Sequence, residues 1–328
     1  MRRFSALTDP VIAPIKQRLD DFRQQRRVQA GSLIISAFGD AIVPRGGRIW
    51  LGSLIRLLEP LELNERLIRT SVFRLAKEEW LRTETVGRRA DYVLTQSGRQ
   101  RFEEASRHIY ASHAPVWDRR WRLILVVKEI DPKERDRLRK ALFWQGFGVL
   151  PGDCFVHPSA DLTAAFDALV AEGLGSLLDC LMPLLAADSL SGLSANDADL
   201  VRRAWNLQEL AESYSAFVAT YLPILAELRS ERQTEVDDAD AFLLRLLLIH
   251  DYRRLLLRDP ELPEVLLPAD WPGQKARLLC KDLYRRLLPG AERHLDATLT
   301  LADGSSPVRL PSSVERFPQD DPLLAPAL

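Results

Sequence analysis

The sequence predicts an α+β protein of several domains, and three observations carry that expectation. Between residues 64 and 98 an amphipathic run with helical spacing gives way to one that alternates apolar and polar side chains. From 117 to 193 short β-rich runs alternate with two helical stretches in the order βαββαβ. From 194 to 298 long helical runs are interrupted by proline-rich breaks. A chain of 328 residues has room for two or three such domains, each with its own core.

Residues 1–29 read as an N-terminal helical extension, with Ile12, Ile15, Leu19 and Phe22 on one face and Arg23, Arg26 and Arg27 near its end. Such a face suits packing on the next domain; DNA contact by the arginines is the alternative. Residues 30–98 form the first domain. A helix is expected near Ser32–Ile42, a turn at Pro44-Arg45-Gly46-Gly47, a short strand at Ile49-Trp50, and a second helix near Gly52–Leu58 that Pro60 ends. Asn64 is the N-cap candidate for a third helix. On that helix Ile68, Ser71, Val72 and Leu75 share one side. Arg66, Arg69, Thr70, Phe73, Arg74 and Lys77 share the other. After Trp80 the period becomes that of a β-hairpin: Leu81–Val86, a turn over 87–91 with Arg88 and Arg89 at its tip, and Tyr92–Thr95. Helix, strand, helix, turn, helix and hairpin is the order of a winged helix-turn-helix. In that motif the last helix reads the major groove and the hairpin, or wing, grips the backbone.

Residues 99–116 make a polar connecting helix, on which His108 and His113 fall on different faces and so share no metal. The domain over 117–193 has a buried strand at Arg122–Val127, a charged helix opened by Pro132 and short strands within 146–156. A helix at Leu162–Glu172 and a closing strand at Leu181–Ala187 complete a ferredoxin-like pattern. Residues 194–298 read as an all-helical domain with runs at Ala198–Glu227, Asp238–Arg258 and Trp271–Leu288. Residues 299–328, with five prolines after Gly304, read as a loose tail.

The overall charge of −1 conceals a division. Residues 1–120 carry 22 lysines and arginines against 14 acidic residues, while the remainder carries 23 against 32. The basic excess therefore sits in the segment that holds the candidate reading helix. Three scattered cysteines, Cys154, Cys180 and Cys280, form no CxxC pair, which favours buried thiols in a reducing cytoplasm. No signal peptide follows Met1-Arg2-Arg3, and no run approaches the ~20 apolar residues of a membrane span.

On the reading helix, Arg69 or Arg74 suits bidentate contact with guanine O6 and N7, and Thr70 a phosphate or a thymine methyl. Phe73 either packs under the hairpin or touches thymine methyls. Arg88 and Arg89 suit phosphate or minor-groove contacts. The plain alternative is an ordinary solvated face, with Arg66, Arg69, Arg74 and Lys77 paired to Glu62, Glu65 and Glu78.

The chain resembles the PaaX family of bacterial transcriptional repressors, which control phenylacetic acid degradation. The resemblance spans about residues 30–298 and rests on Glu65-Arg66…Arg69-Thr70…Arg74-Leu75…Trp80-Leu81…Gly87-Arg88-Arg89…Tyr92…Leu94-Thr95. It continues in Trp117 and Trp121, Gly146-Phe147-Gly148, and Ala204-Trp205-Asn206-Leu207 with Tyr214 and Phe217. Its most distinctive stretch is His250-Asp251-Tyr252-Arg253-Arg254…Asp259-Pro260…Leu262-Pro263…Leu267-Pro268…Trp271, followed by Ala276 and Leu283-Tyr284. The resemblance implies a homodimeric repressor released from a double-stranded DNA operator by an aryl-acyl-CoA such as phenylacetyl-coenzyme A.

His250-Asp251 lacks the further ligands a metal needs and has no nucleophile beside it. Two readings remain for the motif. It packs helices through salt bridges, or Arg253 and Arg254 hold the phosphates of coenzyme A while Tyr252, Trp205 and Trp271 line an aromatic pocket. Small nucleases share the ferredoxin-like fold, but Asp131 and Asp153 belong to different turns and gather no cation. The sequence has no glycine-rich phosphate loop, GxSxG or HExxH. An enzyme is therefore not expected, nor a cofactor, a metal or a membrane partner. A ligand-responsive DNA-binding repressor remains, against a non-catalytic interaction protein whose winged helix binds a protein partner.

Overall fold

The structure, a computed structural model, describes residues 13–25, 29–111, 114–187, 195–230, 236–310 and 316–317. Ile12, Arg26, Arg27 and His113 lie outside them. Packing divides the chain into two units: Met1–Ser112, Ala216–Arg253 and Lys275–Leu328 form one, and His113–Ser215 with Arg254–Gln274 the other.

In the first unit, α1 (Ala13–Arg23) buries Ile15, Leu19 and Phe22. The helix expected at Ser32–Ile42 is α2 (Ala30–Ala37) followed by a π-helical turn, Phe38–Ile42, and a 3-10 turn, Val43–Arg45. The widened turn carries the buried Asp40, whose partners are described below. Next come β1 (Arg48–Trp50), α3 (Leu51–Leu58), a 3-10 turn through Pro60, and α4 (Glu65–Lys77). Strands β2 (Leu81–Val86) and β3 (Arg89–Leu94) close an antiparallel sheet of order β1-β3-β2. The hairpin turn is tighter than predicted. Val86 pairs with Arg89, so the loop is Gly87-Arg88 alone, and Arg89, Ala90 and Asp91 are strand residues. Gly87 sits at φ +60 in the first central position, a conformation that admits a two-residue loop and favours glycine. Thr95 caps α5 (Gln96–Ile109) by accepting from the Gly98 amide at 2.9 Å.

The second unit begins with β4 (Arg120–Val126) and α6 (Pro132–Trp144). Strands β5 (Gly148–Leu150) and β6 (Cys154–His157), α7 (Leu162–Ala171) and β7 (Leu181–Ala187) follow. The sheet order β5-β6-β4-β7, antiparallel throughout, is the split β-α-β arrangement the sequence predicts. One sheet face and both helices bury Ile124, Leu138, Leu142, Phe155 and Leu169. Trp121, Val156, Val201, Trp205, Leu262 and Leu266 form a second cluster. Beside it His157 accepts at Nδ1 from the Ser159 and Ala160 amides, at 3.0 and 2.8 Å, and bonds the Pro260 carbonyl. The ring is therefore assigned as the neutral Nε2–H tautomer. Burial chiefly, with Arg122 adding, lowers its pKa to about 4. A folded state that refuses a proton the unfolded chain accepts loses stability as pH falls from about 6.5 to about 4, by on the order of 2–3 kcal/mol. His157→Gln should flatten that pH dependence in denaturant titrations; an unchanged profile would assign it to other groups.

The helical run expected at Ala198–Glu227 is broken. Helix α8 (Asp197–Ala204) stops where Trp205 turns extended and its indole N–H donates to the Gly146 carbonyl at 2.9 Å. Helix α9 (Leu207–Arg229) then starts, followed by α10 (Asp238–Leu256) and α11 (Pro272–Thr298). α11 runs ten residues past the expected Leu288, through Pro289. An internal proline costs about 3 kcal/mol. The turns beyond it bury Ala291 and Leu295 and place Gly290 against Ala241, and that packing continues the helix.

From Ala216 to Arg253 and from Lys275 onward, the helices pack with the N-terminal segment. α10 is buried on every side from Ala241 to His250, as a helix at the centre of a unit must be. Fully buried Arg245 is ion-paired with Asp40 at 2.9 Å and with Glu292 at 2.6 Å. Residues 299–302, Leu310 and 316–317, in a segment expected to be loose, make defined contacts within this unit. Leu299 and Ala302 are buried, the Ala302 amide donates to Asp91 at 2.7 Å, and the Leu310 amide donates to the Pro44 carbonyl. Arg316 reaches Asp40 and the Gly39 carbonyl.

Candidate nucleic-acid interface

Asn64 starts α4 by accepting from the Arg66 amide at 2.8 Å. Ile68, Ser71, Val72 and Leu75 face inward, while Arg66, Arg69, Thr70, Phe73, Arg74 and Lys77 are all exposed. Phe73 is 67% exposed and so is not packed beneath the hairpin. The Thr70 hydroxyl donates to the Arg66 carbonyl at 2.8 Å, leaving its methyl group and a lone pair for any partner.

The exposed cations fall into three sets by what holds them. Arg69 pairs with Glu65 at 2.6 Å and Arg74 with Glu78 at 3.6 Å. These pairs are solvent-exposed and worth about 0–1 kcal/mol, so a phosphate can displace the carboxylate. Arg74 also lies along α2: a Cβ at Gly31 would stand 2.5 Å from its guanidinium. Arg66, Lys77 and Arg88 are in no ion pair among the described residues. Arg89, predicted at the hairpin tip, is instead in β3 and stacks on the Trp50 ring at 4.4 Å. Arg56 lies over the same ring at 5.1 Å. Neither Trp50 nor Arg56 stood out in the sequence. The one signal was Gly52 two residues after a tryptophan, readable only once β1 brings Trp50 opposite Asp91.

The five effector candidates do not fall within one unit: Tyr252 and Arg253 belong to the first, and Trp205, Arg254 and Trp271 to the second. Tyr252 is buried against Phe217. Arg253 donates to the Ser32 hydroxyl and carbonyl at 2.6 and 3.0 Å and to Ser36 at 3.2 Å. His250 shares Ser36, at 3.2 Å, and Asp251 takes Arg18 at 2.6 Å. The motif thus fastens α1 and α2 to α10. Trp205 is core, Trp271 stacks edge-on against Tyr214, and Arg254 is exposed. The carboxylates weighed for nuclease chemistry are also engaged: Asp131 caps α6, and Asp153 pairs with Arg135 and Arg139. Among the described residues no group of His, Cys, Asp and Glu is placed to hold a metal. No helix among them is long and apolar enough to cross a membrane.

Fold and surface define a class: a multidomain protein of mixed helices and antiparallel sheets with a basic helix-and-hairpin end. The chain belongs to the PaaX family. Residues 29–98 match the PaaX-like protein model, 114–181 the PaaX protein central Cas2-like domain, and 205–297 the PaaX-like protein C-terminal domain. Transcriptional repressor PaaX of Escherichia coli (strain K12) is 40% identical over 281 residues, 84% of this chain and 86% of the relative. Among solved structures, Uncharacterized protein Rv0674 from Mycobacterium tuberculosis is similar at a TM-score of 0.47 and 22% identity, over 74% of this chain and 89% of that one.

Proposed function

We propose that this protein is a cytoplasmic, homodimeric transcriptional repressor that binds operator DNA through an N-terminal winged helix-turn-helix. In this reading α4 enters the major groove and β2–β3 is the wing. The observation that carries it is the outward side of α4: Arg66, Arg69, Arg74 and Lys77 project from one face, with Thr70 and Phe73 among them and Arg88 at the neighbouring hairpin turn. Arg69 and Arg74 supply base contacts, Thr70 and Phe73 offer apolar contact to thymine methyls, and Arg66, Lys77, Arg88 and Arg89 hold phosphates. The family resemblance further suggests control of phenylacetate catabolic genes and release by an aryl-acyl-CoA, phenylacetyl-CoA being the first to try.

The test is a gel-shift titration with duplex DNA from upstream of the protein's own gene, with and without several acyl-CoA thioesters. Arg74→Ala is expected to lose about 1–3 kcal/mol of discrimination against competitor DNA. Arg88→Ala should weaken all duplexes alike and lower the salt slope by about 0.9. Unchanged operator affinity in both variants would sink the assignment and leave a protein-binding winged helix.

For the effector, Arg253 is the candidate to test, and it has a packing role besides. Arg253→Ala is expected to lower the unfolding free energy by about 1–3 kcal/mol through its lost bonds to Ser32 and Ser36. Unaltered calorimetric affinity for phenylacetyl-CoA in that variant would remove Arg253 from the effector site.

A further inference from the structure

Most arginines on the N-terminal sheet and reading helix are held by carboxylates. Arg48 is paired with Asp91 and Glu84, Arg82 with Glu84, Arg69 with Glu65, and Arg74 with Glu78. Arg89 and Arg56 are held differently. Both guanidinium groups lie over the indole of Trp50, at 4.4 and 5.1 Å, and neither is in an ion pair among the described residues. The difference has a chemical consequence. A carboxylate cancels the cation it orients, whereas an aromatic face orients it, leaves its charge intact and keeps the hydrogen-bonding edge of the guanidinium available. Two like charges gathered on one ring repel each other, and a polyanion relieves that repulsion.

The arrangement is built into the fold at several points. Trp50 is opposite Asp91 in the β1–β3 register, and Arg89, two residues nearer the hairpin tip on the same strand face, therefore points along the same surface. Gly52 makes room for the ring: a Cβ there would stand 2.5 to 2.8 Å from three of its atoms. The Trp50 amide donates to the Thr300 carbonyl at 3.3 Å, and Arg56 donates to the Thr300 hydroxyl at 3.1 Å. Arg89 follows Arg88 directly, so the stack extends a basic track from the hairpin tip back to α3.

We infer that Trp50 is a positioning residue that presents Arg89 and Arg56 to DNA phosphates, and that Arg56 is a second backbone contact on the hairpin side of the interface. The inference rests on the DNA-binding reading above and adds to it a mechanism for fixing two contacts in advance. An arginine side chain carries about 2 kcal/mol of rotamer entropy, and stacking it before DNA arrives removes part of that loss from binding.

The test is fluorescence anisotropy with a labelled duplex from upstream of the gene, titrated across a salt series. Trp50→Leu removes no charge, yet near 0.1 M salt it should bind about five- to tenfold more weakly and with a salt slope lower by about 0.7–1. Trp50→Phe should recover most of the affinity, and Gly52→Ala, which keeps the indole but displaces it, should resemble Trp50→Leu. Adding Arg89→Gln to Trp50→Leu should cost little more, because the contact is already lost. A folded Trp50→Leu protein with wild-type affinity and slope overturns the inference, as does a fully additive double variant. Should Trp50→Leu fail to fold, the exposed substitutions Arg56→Gln and Arg89→Gln decide alone: each lowers the slope by about 0.9, or the inference falls. A wild-type protein that binds no duplex at low salt would instead remove the DNA-binding reading itself.

Discussion

Asp40→Ala is expected to lower the unfolding free energy by about 3–5 kcal/mol, seen as a fall in denaturant midpoint. The Asp40 carboxylate is fully buried and meets Arg245 at 2.9 Å, Arg316 at 3.0 Å, and the hydroxyls of Tyr110 and Tyr284 at 2.8 and 3.1 Å. Burial, opposed by Arg316, raises the pKa of both tyrosines, that of Tyr110 the further, and keeps them as donors. Removing the carboxylate leaves Arg245, itself wholly buried, with Glu292 as its remaining carboxylate. An uncompensated buried guanidinium is far costlier than a lost contact between neutral groups. Burial works to raise the Glu292 pKa, but Arg245 and Arg45 outweigh it and hold the carboxyl below its ordinary range. Its contribution is therefore present above the ordinary carboxylate pKa and fades as pH falls through the depressed value. Glu292→Gln should thus lose stability at neutral pH and show less further loss on acidification than the wild type. A loss under about 1 kcal/mol in Asp40→Ala would mean that the unit repacks around Arg245.

That network also marks where the sequence stopped being legible. Periodicity found the inward stripe Ile68, Ser71, Val72 and Leu75 and the strand alternation after Trp80, because each repeats within one element. The four-stranded order of the second unit was likewise readable from apolar runs separated by turn residues. What the sequence could not give was pairing between distant segments. Asp40, Arg45, Arg245, Glu292 and Arg316 are separated by up to 276 positions, and no periodicity within one element links them. Only the fold puts them in one cluster and packs residues 299–302 and 316–317 within the same unit. Arg253 is a similar case: its neighbours in sequence suggested a phosphate ligand, while its partners in space are Ser32 and Ser36. Arg89 moved from turn to strand because one glycine with positive φ shortened the loop to two residues. With it went the expectation that both hairpin arginines share one environment.

The largest expected change in DNA binding comes from replacing Arg66, Lys77 and Arg88 together with glutamine. These three cations are exposed and in no ion pair among the described residues, so each can neutralise a phosphate without first releasing an acidic partner. Every such contact adds about 0.9 to the salt slope and about 0.9 decades of affinity near 0.1 M salt. Losing three should cut affinity several hundredfold and lower the slope by about 2.7. Stability should move by no more than about 0.5 kcal/mol, because none of the three side chains is packed. The ratio of operator to competitor binding should stay near its wild-type value, since Arg69 and Arg74 remain on the helix. The complementary change, Glu65→Gln, frees Arg69 from its 2.6 Å pair and should raise affinity modestly while steepening the slope. Loss of affinity with an unchanged slope in the triple variant would mean that these residues act on the fold of the helix and not on the phosphates. An equal loss of the operator-to-competitor ratio would mean that one of them, and not Arg69 or Arg74, reads the bases.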